Sequence, residues 1–121
     1  MTPSIVQQRL IEFAVLSGKV ADKLPRTYMG IHIARQLIRS STSPAANYAE
    51  ACAAESKRDF IHKLSICLKE LRESNTWFEI ISKAGMIDND LLKTGLDESA
   101  QLGKIIAKSI ITAKHNLQIK T

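Results

Sequence analysis

No stretch of this sequence approaches the ~20 consecutive apolar residues of a membrane-spanning helix, and no charged-then-apolar leader opens it. Those two absences set the expectation of a cytoplasmic protein with no membrane partner. Glycine and proline are scarce, five and three in 121 residues, so little interrupts the chain and long helices have room to form. Aromatic residues reach only 5%, which leaves few platforms for stacking on nucleobases. The two cysteines, Cys52 and Cys67, both fall in apolar-periodic stretches, where reduced core or interface thiols are expected rather than a disulfide framework. No nucleophile–base pair, phosphate-cradling glycine loop or zinc spacing occurs. The chain is therefore read as non-enzymatic, with no catalytic residue and no cofactor. Asp59 and His62 have the spacing of a helical metal pair, but a di-metal bundle needs that pair on two helices with further inward carboxylates. It occurs once, and no metal site is expected.

What is present is helical periodicity in a chain that is 45% hydrophobic and of a length that fits one domain, residues 1–121. The first helix is expected over about 3–23, capped by Thr2 or Ser4, with Val6, Leu10, Phe13, Ser17 and Val20 on its inner side and Pro25 ending it. The second runs over about 28–54, with Ile31, Ala34 and Ile38 along one side and Leu37 beside them. Pro44 sits inside it and is expected to kink it, because its ring crowds the carbonyl of Ser40 and it has no N–H to donate. The third starts after Ser56, which with Asp59 has capping-box spacing, and stops at Gly85. The fourth starts near Asp88 or Asn89 and carries the stripe Leu92, Leu96, Ser99, Gly103, Ile106, Ile110, Ala113 and Leu117. Its alternation of four and three is that of left-handed bundle packing, with Ser99 and Gly103 as a small-residue seam. Short connections complete an all-α, antiparallel up-down-up-down four-helix bundle.

One stretch does not read as simple core: Arg39-Ser-Ser-Thr-Ser-Pro-Ala-Ala-Asn-Tyr-Ala-Glu50. Hydroxyls, an amide and a carboxylate where Leu and Ile would fill a core point to close helix contact and a specified polar network. With Ile33 to Arg39 before it and the run Phe60 to Ile81 after it, this stretch resembles the bacterial four helix bundle protein family, also called ribosomal RNA intervening-sequence proteins. These are related to accessory variability-determinant proteins of diversity-generating retroelements. The match is strong over the second and third helices and extends to the others in pattern and length. The resemblance implies a homopentameric ring, a basic protein suspected of binding nucleic acid, no established enzymatic activity, and a protein partner such as a reverse transcriptase. Many members have Ala-Glu-Gly where this chain has Ala49, Glu50 and Ala51, so the second helix is expected to run slightly longer.

Arg39, Asn47, Glu50 and Glu73 occupy the family's polar motif positions. Buried carboxylates and amides must be paired, and Arg39 is the expected partner of Glu50 or Glu73. Trp77, the only tryptophan, is expected to anchor the core or an interface. The formal charge of +5 is unevenly spread. Lys19, Lys23, Arg26, Arg35 and Arg39 share the interval 13–49 with a single acid, Asp22; from Ser99 onward come Lys104, Lys108, Lys114 and Lys120 and no acid. In an up-down bundle those late lysines meet Lys57, Arg58 and Lys63 at the start of the third helix. That end should be electropositive and suited to phosphate backbones, while Asp88, Asp90, Asp97 and Glu98 offset charge at the other. The competing expectation is a protein–protein scaffold in which the basic charge is incidental.

Overall fold

The computed structural model describes the backbone of residues 1–120 and the side chains of residues 1–118. It contains α1 (Pro3–Asp22), α2 (Tyr28–Cys52), α3 (Lys57–Lys83) and α4 (Asp90–Lys120), and no strand among the described residues. Each helix packs against its two neighbours in the order α1–α2–α3–α4–α1, an antiparallel four-helix bundle with α1–α4 as its thinnest seam. Arg9 bridges that seam, donating from Nε and Nη2 to the two carboxylate oxygens of Glu98 at 3.1 and 2.6 Å.

The helix ends follow local chemistry. Thr2, Thr27, Ser56 and Asn89 each accept a backbone N–H of the first turn through a side-chain oxygen, at 3.3, 3.0, 3.1 and 3.0 Å. α3 closes in a Schellman motif: Gly85 takes φ +64°, its N–H reaches Ser82 O at 3.1 Å, and Met86 N–H reaches Ile81 O at 3.2 Å. α2 passes through Pro44 as one helix. In the turns before it, Ser40, Ser41 and Thr42 direct their hydroxyls to the carbonyls of Leu37 and Ile38. The buried Pro44 carbonyl accepts from Cys67 Sγ at 3.2 Å.

The core runs through Leu10 and Phe13 of α1, Ile33 and Leu37 of α2, Leu64, Leu71, Phe78 and Ile81 of α3, and Leu102 and Ile106 of α4. Phe13 and Phe78 meet edge to face at 6.1 Å. All five inner positions expected of α1 are buried. In α2 the expected apolar side is not the core side. Ile31 and Ile38 are 42% and 43% exposed, whereas Gly30, Ile33, Leu37, Ser40, Ser41, Pro44, Tyr48 and Ala51 are buried. Small residues win those inner places because α2 and α3 approach closely there: Ser74 Oγ donates to Ser40 Oγ at 2.8 Å. In α4 the stripe is displaced by one residue midway. Leu102 is fully buried and Gly103 only half-buried, because a 3.6-residue turn carries the inner line from Ser99 to Leu102 before Ile106. Of the two glycines of α4, the tight one is Gly95, where a Cβ would stand 2.6 Å from the Phe78 ring, and not Gly103, whose Cβ would meet Leu68 at an ordinary 3.9 Å.

Candidate functional site

Two polar assemblies stand out, one on the α2–α3 seam and one at the end of the bundle where α3 begins and α4 finishes. On the seam, Arg39 extends from α2 across to α3. Its Nη1 donates to Glu70 Oε2 at 2.9 Å, its Nη2 to Glu73 Oε2, and its Nε to Gln36 Oε1 at 3.2 Å. Trp77 Nε1 donates to the same Glu73 oxygen at 3.1 Å, and the Trp77 ring meets His32 edge-on at 6.0 Å. Beneath this, Ser74 Oγ has a second acceptor in reach of its one proton, the Glu70 carbonyl at 2.9 Å. Two residues expected in the network are elsewhere. Asn47 is held within its own helix by Ser43, through the carbonyl at 3.0 Å and the hydroxyl at 2.9 Å. Glu50, one turn further along, lies 3.7 Å from Lys63. Neither reaches Arg39, which lies about two turns up the helix from Asn47 and about three from Glu50. The carboxylate that sequence reasoning missed is Glu70, whose side chain is only 9% exposed. Its signal was its position beside Leu71 and between Cys67 and Ser74, in phase with the core.

At the bundle end, the six expected cations do not form one patch. Lys57 and Lys108 both line a cleft of about 530 Å³, with Met1, Phe60, Ile105 and Ala113 also in its lining. Arg58 and Lys114 line a separate cleft with Ile61, His62 and Leu117. Lys63 turns instead toward Glu50, and Lys104 lies with Arg72 and Glu79 in a third cleft further up the α3–α4 seam. Lys120, the last of the late lysines, lies outside the residues whose side chains are described. The cations therefore fall in two pairs, each joining the start of α3 to α4: Lys57 with Lys108, and Arg58 with Lys114.

A second surface runs along α1 and α2. Ile11 and Val15 are 43% and 54% exposed, in addition to Ile31 and Ile38. Gln7, one turn before Ile11, donates from Nε2 to Ala45 O of α2 at 3.1 Å. The Ile11 side of α1 thus borders α2, and these aliphatic residues share one side of the bundle.

The remaining reactive groups are quiet. Burial above all, with Cys52 nearby, pushes the Cys67 thiol up to about 12. Burial and the contact with Cys52 raise the Tyr48 phenol to about 12. Both stay protonated at neutral pH. Among the described residues no three His, Cys, Asp or Glu side chains gather in a metal-holding group, and no helix is long and apolar enough to cross a membrane.

A family model described as 23S rRNA-intervening sequence protein matches residues 3–108. A crystal structure of a protein of unknown function from the S23 ribosomal protein family of Bacteroides thetaiotaomicron is similar at a TM-score of 0.82 and 31% identity. The similarity covers 91% of this chain and 98% of that one. The comparison with curated proteins gives no match.

Proposed function

The chain belongs to the family of 23S rRNA-intervening sequence proteins, and on that premise we propose that it is a non-enzymatic, cytoplasmic, homopentameric bundle that binds the backbone of RNA or DNA through its basic end. The observation that carries the nucleic-acid part is that Lys57 shares one cleft with Lys108 and Arg58 another with Lys114, each pair joining the start of α3 to α4. Cations on two rigid helices hold a spacing, so successive phosphates can be met without ordering a loop. A ring would multiply the formal charge of +5 fivefold, which favours multivalent contact with one polyanion. Self-association is supported by Ile11, Val15, Ile31 and Ile38, aliphatic residues that water would otherwise cover on one side of the bundle. A cyclic assembly pairs such a side with a different side of the next copy.

The test is binding to structured RNA and to duplex DNA at two salt concentrations. Affinity should fall as salt rises, by ~0.7–0.9 log units per log unit of salt for each phosphate neutralised. Replacing Lys57, Arg58, Lys108 and Lys114 together by alanine should remove most of that slope. Binding that ignores salt, or that survives the fourfold replacement, would discard the basic end and leave the scaffold reading, in which a protein is the partner.

A further inference from the structure

We propose that the cleft between Lys57 and Lys108 is a subsite for one unpaired nucleotide of a longer strand, its base against the apolar floor and its phosphates on the two lysines. This rests on the nucleic-acid reading above and narrows it from any polyanion to a strand with unstacked bases.

Duplex phosphates need only a basic surface, and the Arg58–Lys114 pair supplies one. The other cleft has more than charge. Its volume of about 530 Å³ lies in the range of small-molecule sites, roughly 300–1,000 Å³. Phe60, half-buried on the first turn of α3, Ile105 and Ala113 of α4, and Met1 add apolar lining to the two cations. An apolar interior does nothing for a phosphate, but it is what a base leaves water to occupy, and an aromatic ring adds a stacking partner. The α4 wall also carries Thr112 and Asn116, one turn apart and both exposed. Neither is engaged in a hydrogen bond among the described residues, so a hydroxyl and an amide are available to the edge of a base. Lys57 and Lys108 are likewise in no ion pair among the described residues, unlike Lys63, which lies 3.7 Å from Glu50. Lys57 opens α3, so the positive end of that helix adds to its charge. Apolar, hydrogen-bonding and cationic side chains thus line one cavity, all but Met1 carried by α3 and α4.

The experiment compares a fluorescent RNA hairpin with an unpaired loop, a fully paired RNA duplex of equal length, and a free mononucleotide, at one salt concentration. The hairpin should bind about tenfold tighter than the duplex, the scale of stacking one base, and the mononucleotide far more weakly than either. Thr112→Leu with Asn116→Leu narrows the cleft from exposed positions, removes both hydrogen-bonding groups without adding a ring, and leaves all four cations in place. It should bring hairpin binding down to the duplex level without lowering the melting temperature, and Asn116→Ala should narrow the preference in the same direction. Equal hairpin and duplex affinities in the unaltered protein, or a Thr112→Leu, Asn116→Leu protein that keeps its preference, would overturn the subsite while leaving the basic-end reading intact. A mononucleotide bound as tightly as the hairpin would overturn the claim that the subsite serves a strand. Absence of binding to hairpin and duplex alike would remove both proposals.

Discussion

Arg39 on α2 holds two carboxylates of α3 at once, the buried Glu70 at 2.9 Å and the more exposed Glu73 beside it. The two partners are unequal in what they need from it. Glu73 also accepts from Trp77 and is 31% exposed, whereas the Glu70 side chain is 9% exposed. Arg39 itself is half exposed, so water can serve it if a carboxylate is lost.

That asymmetry predicts an unequal response to mutation. Arg39→Ala strands a buried carboxylate and should destabilise the fold by about 1–3 kcal/mol. Glu73→Ala removes a partly screened ion pair and should cost less than about 1 kcal/mol. Urea melts of the two variants read the difference directly. If Glu73→Ala proves the more damaging, Glu70 is not the residue that makes this seam matter.

The helix ends were legible in the sequence because caps are local. Thr2, Ser56 and Gly85 do what their residue types dictate within four residues of themselves. The inner face of α2 was not legible. Ile31 and Ile38 outrank Gly30 and Ser40 on any hydrophobic scale, but space decides the contest: a serine pair at 2.8 Å leaves no room for isoleucine at Ser40, and the Pro25 carbonyl would stand 1.9 Å from a Cβ at Gly30. Partner choice within the polar stretch failed for a similar reason. Asn47 and Glu50 are near Arg39 in sequence, yet helical rise carries them to a different level of the bundle, where Ser43 and Lys63 are the neighbours. The bundle end could be read as a charge excess. It could not be read as two clefts, because that depends on which lysine faces which helix.

Two glycines of α4 should answer alanine in opposite directions. At Gly95 the added methyl would stand 2.6 Å from the ring of Phe78, which is fully buried against Phe13. Gly95→Ala should therefore destabilise by about 1–3 kcal/mol. At Gly103 the methyl meets only Leu68 at 3.9 Å, so Gly103→Ala should gain up to about 1 kcal/mol of helix propensity. Thermal melts of both at one protein concentration decide it, and a shared sign would refute the assignment of the tight contact.

The thiols should separate by reactivity and by pH. Cys52 is exposed and Cys67 buried, so a thiol reagent should modify one cysteine quickly in the folded protein and the second only after denaturant is added. Cys67 is raised from its ordinary 9.0 to about 12 in the folded state, and Tyr48 from 10.0 to about 12. For an acid that is neutral when protonated, a raised folded value contributes stability that is complete below the unfolded value. It is lost as pH rises through the window between the two values. The urea midpoint should thus fall between about pH 9 and pH 12 with no matching loss from these groups below it. A midpoint flat across that window would count against the burial of both groups.

Ile31 and Ile38 provide the last discrimination, because the isolated chain does not need them. Both are more than two-fifths exposed and lie one heptad apart on the outer side of α2, near Ala34 and Arg35. In a monomer, Ile31→Glu with Ile38→Glu should leave the helical content intact and shift the melting temperature little, since surface substitutions stay near ±0.5 kcal/mol. In an assembly that covers this side, the same pair places two carboxylates in an apolar interface and should reduce the solution mass toward one chain of 13.4 kDa. Light scattering of the unaltered and doubly substituted proteins separates the cases. A large unaltered particle that survives the substitution places its contacts on another side. A single-chain mass for the unaltered protein rejects the ring itself, and the basic end would then have to bind its polyanion without multivalency.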